Sequence, residues 1–206
     1  MVKRKGATSY QETAFGIIPR SKLIPLEIEG IKKAWDFVLK KRRKGKLPLT
    51  TKFIKETHKV ACGWIFPGMG GQYRKIEVKV SKHTPPRFYL VAQLMESFIK
   101  DLQTRIKHFP KIEDENFLER LVELLAWAHH RFLWIHPFQD YNGRIGRLLN
   151  NIILLDLDLP PIELRVETVS GRKAYVQALQ GADSFDLSKL EKIFRLAIAE
   201  AAEELK

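Results

Sequence analysis

The stretch HPFQDYNGRIGRLLNNIILL, residues 136–155, constrains the fold more than any other part of the chain. Wound at about 100° per residue, Ile145, Leu148, Leu149, Ile152 and Ile153 fall on one face and form a stripe to be buried. Arg144, Arg147 and Asn151 share a different face, so the two arginines point away from the main core at the first helical turn. A helix with such a stripe needs other helices to pack against, and the sequence supplies them. Residues 28–44 place Ile28, Ile31, Trp35 and Val38 at helical spacing, with Gly45 and Pro48 as stop signals. A second helix follows Thr50 or Thr51 as N-cap, with Phe53, Ile54, Thr57 and Val60 on one side. FYLVAQLMESFIKDLQ continues the helical pattern. Phe117, Leu121, Leu124, Leu125 and Ala128 then make the apolar face of a helix running up to the quoted stretch. Beyond a Pro160-Pro161 turn come a helix from about Gly171 to Leu179 and an amphipathic C-terminal helix. The one β signal lies around residues 73–82, where Ile76, Val78 and Val80 alternate before a pair of prolines. The class is mainly α with one small β element.

The helix entrance collects residues suited to an anion. The first N–H groups of a helix have no carbonyl one turn back, and the helix dipole adds positive potential at that end. An Asn142-Gly143 pair just before the first turn, with the helix taken from residue 144, can turn the chain so that successive N–H groups converge, and two guanidinium groups add donors that fit phosphate oxygens. Asp140 on the loop is a hard oxygen ligand for Mg2+, which typically takes one or two carboxylates and keeps water and phosphate otherwise. His136 can accept a proton near neutral pH and so activate a hydroxyl toward phosphorus. Taken singly, each of these is commonplace: a loop histidine, a turn aspartate, two surface arginines. Their grouping within twelve residues describes phosphoryl or nucleotidyl transfer.

His136-Pro-Phe-Gln-Asp140-Tyr-Asn142-Gly143-Arg144-Ile-Gly-Arg147 resembles the Fic family signature, HxFx(D/E)GNGRxxR. GQYR at 71–74, the HTPP turn at 83–86, and RKAYVQALQGAD at 172–183 follow the family pattern in order, so the resemblance covers roughly residues 50–200. It implies a helical Fic bundle with a short β-hairpin flap, whose enzymes mostly transfer AMP from ATP to a hydroxyl of a target protein. On this resemblance His136 is the base and Asp140 holds Mg2+. Asn142, Gly143 and Arg144 cradle the phosphates, Arg147 reaches the γ-phosphate, and Phe138 anchors the loop in the core. The flap around residues 73–82 would dock the target segment by strand addition. Tyr141 stands where the family usually has glycine. Two arrangements are open there: a strained backbone at positive φ, or an ordinary one with the ring over the nucleotide or against a neighbour. Many members also carry an inhibitory helix of pattern (S/T)xxxE(G/N). PLEIEG, residues 25–30, offers Glu29-Gly30 with Pro25 in the Ser/Thr place, which implies Glu29 as the inhibitory residue, clamping Arg147 at rest. Domain division follows: residues 1–48 as a basic N-terminal extension with the inhibitory helix, residues 49–206 as the Fic domain.

Composition narrows the context. Hydrophobic residues at 45% and charged residues at 29% are an ordinary globular balance. The single Cys62 precludes an intramolecular disulfide and fits a reducing compartment. With no signal-peptide pattern and no membrane-length apolar run, the expectation is a cytoplasmic protein without a membrane partner. Residues 1–59 hold 16 Lys and Arg against 5 Asp and Glu, a net of +11 within the total of +12. The densest part, KKRRKG at 40–45, is a solvated helix end or a patch for nucleic acid or an acidic protein. Rival readings are therefore a Fic-like enzyme using another donor or removing AMP, and a binding scaffold with a degenerate site. Homo-oligomerisation is open.

Overall fold

The structure, a computed structural model, describes residues 10–80, 83–166 and 168–204. Among these, seven α-helices follow a short N-terminal hairpin. The hairpin pairs β1 (Tyr10–Thr13) antiparallel with β2 (Gly16–Pro19). The helices are α1 (Arg20–Arg42), α2 (Thr51–Cys62), α3 (Val91–Lys107), α4 (Phe117–Ile135), α5 (Asn142–Asp156), α6 (Val169–Ala182) and α7 (Ser188–Glu204). No described helix is long and apolar enough to cross a membrane.

α5 buries the expected stripe: Ile145, Leu148, Leu149, Ile152 and Ile153 are all in the core. It packs on α4, α1 and α2, while α4 also packs on α3 and α7, and α6 pairs with α7. α4 buries Leu121, Leu124, Leu125 and Ala128 as expected, and Phe117 packs at the edge. α2 starts at Thr50, whose hydroxyl accepts the Phe53 N–H at 3.1 Å. The helical fold class therefore stands.

α1 differs from the expectation in length and in facing. It begins at Arg20, eight residues before position 28, and carries Pro25 inside its second turn. Its buried residues are Leu23, Glu27, Gly30, Ala34 and Val38, whereas Ile28 is 54% exposed and Ile31 and Trp35 are only half-buried. The close approach of α2 explains the rotation: a Cβ on Gly30 would stand 2.0 Å from the Ala61 carbonyl oxygen. No side chain fits at that point of the seam, so Gly30 faces α2 and Ile28 is turned outward.

The β content is also distributed differently. The sheet is the β1–β2 hairpin, whose turn docks through the Ala14 N–H on the Ile65 carbonyl at 2.9 Å. The expected element at 73–82 is extended chain held by two bridges, Tyr73 with Phe138 and Val80 with His83. Ser81 and Lys82 lie outside the described residues.

Candidate active site

Two residues in the left-handed region bracket the loop: His136 (φ 50, ψ 61) ends α4 and Tyr141 (φ 66, ψ 2) begins α5. Between them Phe138 is fully buried and stacks flat on His58, with ring centroids 3.8 Å apart. Asn142 closes the loop from inside. Its Oδ1 accepts the Phe138 N–H at 2.9 Å and its Nδ2 donates to the Phe138 carbonyl at 2.8 Å. The Asn142 side chain is thus a loop brace, and what it presents to an anion is its backbone N–H, beside those of Gly143 and Arg144 at the helix start.

His58 fixes the loop from α2. Its Nδ1 accepts the Gly71 N–H at 2.9 Å, so Nε2 carries the hydrogen, which points to the Asp140 carbonyl at 3.2 Å. Burial pushes its pKa down to about 4. Arg74, also buried, braces the outer side. Its guanidinium donates to the carbonyls of His136 (2.8 Å), Ile76 (3.1 Å) and Pro86, and its N–H donates to the Pro137 carbonyl at 2.9 Å. Both ends of the flap are thereby tied to the loop that carries His136.

The His136 tautomer follows from its partner. Nδ1 lies 3.3 Å from the Leu133 carbonyl, an acceptor only, so Nδ1 holds the hydrogen and Nε2 holds a lone pair. Burial, with smaller effects from Arg74 and His83, lowers its pKa to about 4 and keeps the ring neutral at physiological pH. The ring lines a groove of about 1490 Å³ whose wall also includes Asp140, Asn142, Gly143, Arg144 and Arg147. Asp140 is exposed there; Oδ1 accepts the Tyr141 N–H at 2.6 Å, and Oδ2 has no protein hydrogen bond among the described residues. Among the described residues no three His, Cys, Asp or Glu side chains gather as a metal cluster. One carboxylate with a free oxygen beside a helix N-terminus nevertheless suits Mg2+, which draws its other ligands from water and phosphate. His129 and His130 diverge: the first is buried against Tyr175 at 2.6 Å, the second pairs with Asp183 at 3.0 Å.

The two arginines have different surroundings. Arg147 has no ion-pair partner among the described residues and lies in the groove. Arg144 is forked onto Glu27, Nη2 to Oε2 at 2.7 Å and Nη1 to Oε1 at 3.3 Å. Arg20 approaches the same carboxylate at 2.8 Å from the start of α1. Glu27 itself is 2% exposed. The acidic residue in the site is therefore Glu27, held to the first arginine of the motif. Glu29, expected against Arg147, faces outward with a side chain 51% exposed and lies 3.9 Å from Lys33. Two positions separate the residues, a turn of about 200° around the helix, so they cannot serve the same site.

Reasoning from sequence placed His136, Asp140, Asn142, Gly143, Arg144 and Arg147 on one groove, as the structure does. It missed Glu27, Arg20 and His58. Arg74 was visible only as part of the GQYR resemblance.

The fold and site together define a class: a helical bundle with an anion cradle at one helix N-terminus and a neutral imidazole beside it. The Fic/DOC family profile matches residues 48–154, just over half of the chain, and the chain belongs to that family. Among curated relatives, the protein adenylyltransferase Fic of Drosophila grimshawi is 34% identical over 142 residues, 69% of this chain and 27% of the relative. That of Aedes aegypti is 33% identical over 139 residues, 68% of this chain and 26% of the relative. The chain thus matches only about a quarter of the length of these relatives. Of solved structures, Fic-1 (residues 134–508) from C. elegans superposes with a TM-score of 0.65 at 26% identity, over 86% of this chain and 49% of that one. BepC from Bartonella tribocorum, solved with bound AMPPNP, gives 0.70 at 15% identity over 94% of each chain, a likeness of fold.

Proposed function

We propose that this chain is a protein adenylyltransferase, moving AMP from ATP to a hydroxyl side chain of a target protein. The observation that carries the reading is a neutral imidazole whose free lone pair shares a groove with a helix N-terminus and two arginines. The Nε2 of His136 takes the proton of the target hydroxyl, whose oxygen forms a bond to the α-phosphorus. The bond from that phosphorus to the bridging oxygen breaks, and pyrophosphate leaves. The N–H groups of Asn142, Gly143 and Arg144, with the Arg144 side chain, bind the phosphates; Arg147 takes the terminal one. Asp140 would hold Mg2+, which supplies charge neutralisation across the phosphates.

The same reading makes the resting site autoinhibited. Glu27 occupies Arg144 with the geometry a phosphate would use, and the division at residue 48 separates a regulatory N-terminal part from the Fic domain at 49–206. The test is incubation of the purified chain with Mg2+ and ATP labelled in its α- or γ-phosphate, using a Glu27→Gln protein and its His136→Ala derivative. Protein labelled from the α-position alone, and lost with His136→Ala, is expected. Transfer of the γ-label would replace the activity with a kinase-like one. Transfer of the α-label that survives His136→Ala would remove the base.

A further inference from the structure

Tyr141 is the outlier of the site. Its backbone sits at φ 66, where a side chain bearing a β-carbon is strained and glycine is not. Strain of this kind persists only where the surroundings over-determine it, and here the grip is visible. The ring is 2% exposed. It meets His58 edge-on, with centroids 6.2 Å apart, and Phe66 at 6.3 Å. The Arg144 guanidinium carbon stands 4.6 Å from the ring centroid.

The hydroxyl does not account for the placement. It is buried with no hydrogen-bond partner among the described residues. Burial, with the nearby Glu27 carboxylate, pushes its pKa well above the usual phenol range, so it is not a proton-transfer group. What the residue contributes is a flat face against a guanidinium. Arginine loses rotamer freedom when it grips an anion, and a side chain held in place beforehand loses less. Guanidinium on an aromatic face is a favourable contact that leaves the in-plane N–H donors free.

We infer that Tyr141 is a positioning residue for Arg144: its ring is the platform that keeps the guanidinium oriented at the start of α5 while its donors exchange Glu27 for a nucleotide phosphate. The inference rests on the phosphate-cradle reading above. It assigns the strained backbone a purpose: in this conformation the ring reaches His58, Phe66 and the Arg144 guanidinium together.

The test uses the full chain carrying Glu27→Gln, so that the clamp does not mask the effect. Mg-ATP affinity is measured by calorimetry, KM and kcat by α-label transfer, and folding by thermal melts. Tyr141→Leu and Tyr141→Gly are expected to weaken ATP binding and raise KM by about threefold to thirtyfold, with kcat changed less than twofold. Tyr141→Phe, which keeps the ring, rescues the affinity to within about twofold of the parent. In an Arg144→Met background, Tyr141→Leu has no further effect. The glycine variant relieves the backbone strain and carries the test where the leucine variant does not fold. ATP binding by the leucine and glycine variants that equals the parent's overturns the inference. So does a phenylalanine variant as weak as leucine, or a loss of undiminished size in the Arg144→Met background. ATP binding unchanged by Arg144→Met alone strikes instead at the cradle, and removes this inference with it.

Discussion

Replacing Glu27 by glutamine keeps the side chain's size and removes the charge that holds Arg144. In the resting site the carboxylate accepts a fork from Arg144 at 2.7 and 3.3 Å and a further bond from Arg20 at 2.8 Å. A nucleotide phosphate that engages Arg144 must first displace the fork. Hydrogen bonds to charged groups contribute about 1.5–3 kcal/mol each. Two features hold the whole fork to the lower end of that range. The Arg144 side chain is 28% exposed, so water compensates part of its loss, and Arg20 remains to pair the buried carboxylate after Arg144 has left. About 1.5–2 kcal/mol corresponds to roughly a 10- to 30-fold gain in ATP affinity for Glu27→Gln. Arg20→Met acts in the opposite direction: deprived of its second partner, Glu27 holds Arg144 harder, and ATP affinity drops by about threefold or more. That effect disappears when Glu27→Gln is also present, because the two residues share one carboxylate. Calorimetric titration with Mg-ATP reads the wild type, both single variants and the double variant, and single-turnover transfer of the α-label follows the same order. Glu29→Gln serves as control and leaves affinity unchanged, since Glu29 faces solvent. Equal affinities for the wild type and Glu27→Gln would refute the clamp.

Other consequences follow from burial. His136 is held near pKa 4 by desolvation, so the base in the proposed transfer is free above about pH 5. The kcat/KM for transfer is expected to be level from pH 5.5 to 8 and to fall tenfold per unit below about pH 4; a limb centred near 6.5 would show a solvated imidazole. His58 and His129 are held near 4 and 3 by burial, below the ordinary 6.5. The unfolded chain therefore takes up protons first as pH drops. Stability from these groups is complete above about pH 6.5 and declines by about 1.4 kcal/mol per unit for each histidine as pH falls from there toward 4. Urea midpoints measured from pH 7.5 to 4.5 check it, and a flat profile refutes it. Gly30→Ala drives a methyl to 2.0 Å from the Ala61 carbonyl oxygen. It is expected to cost about 3 kcal/mol in urea unfolding, and unchanged stability would show that α1 and α2 do not approach so closely.

What could be read from the sequence was local. The α5 stripe repeats within ten residues, and the proposed catalytic group lies within twelve, so periodicity and spacing expose both. α1 defeated the same method because its inward face is built on contact distance. Periodicity assumes that large apolar side chains turn to the core; at Gly30 the backbone of α2 leaves no room for them, and Leu23, Glu27, Gly30, Ala34 and Val38 face in instead. A carboxylate on that face is tolerable because Arg20, seven residues before it, and Arg144, 117 residues later, both meet it. No local window contains both partners. Nor does anything within residues 51–62 mark His58, whose role depends on Gly71 and on the Asp140 carbonyl. A signal for Glu27 was nonetheless present. Small residues at 30 and 34 continue, at helical spacing, a row that starts at Leu23, and a single acid within a row of small and apolar residues has to be satisfied from elsewhere. The partners that satisfy it are Arg144, expected at the anion site, and Arg20 at the start of the same helix, and the row of small residues indicates the acid better than the match to an inhibitory motif two positions away.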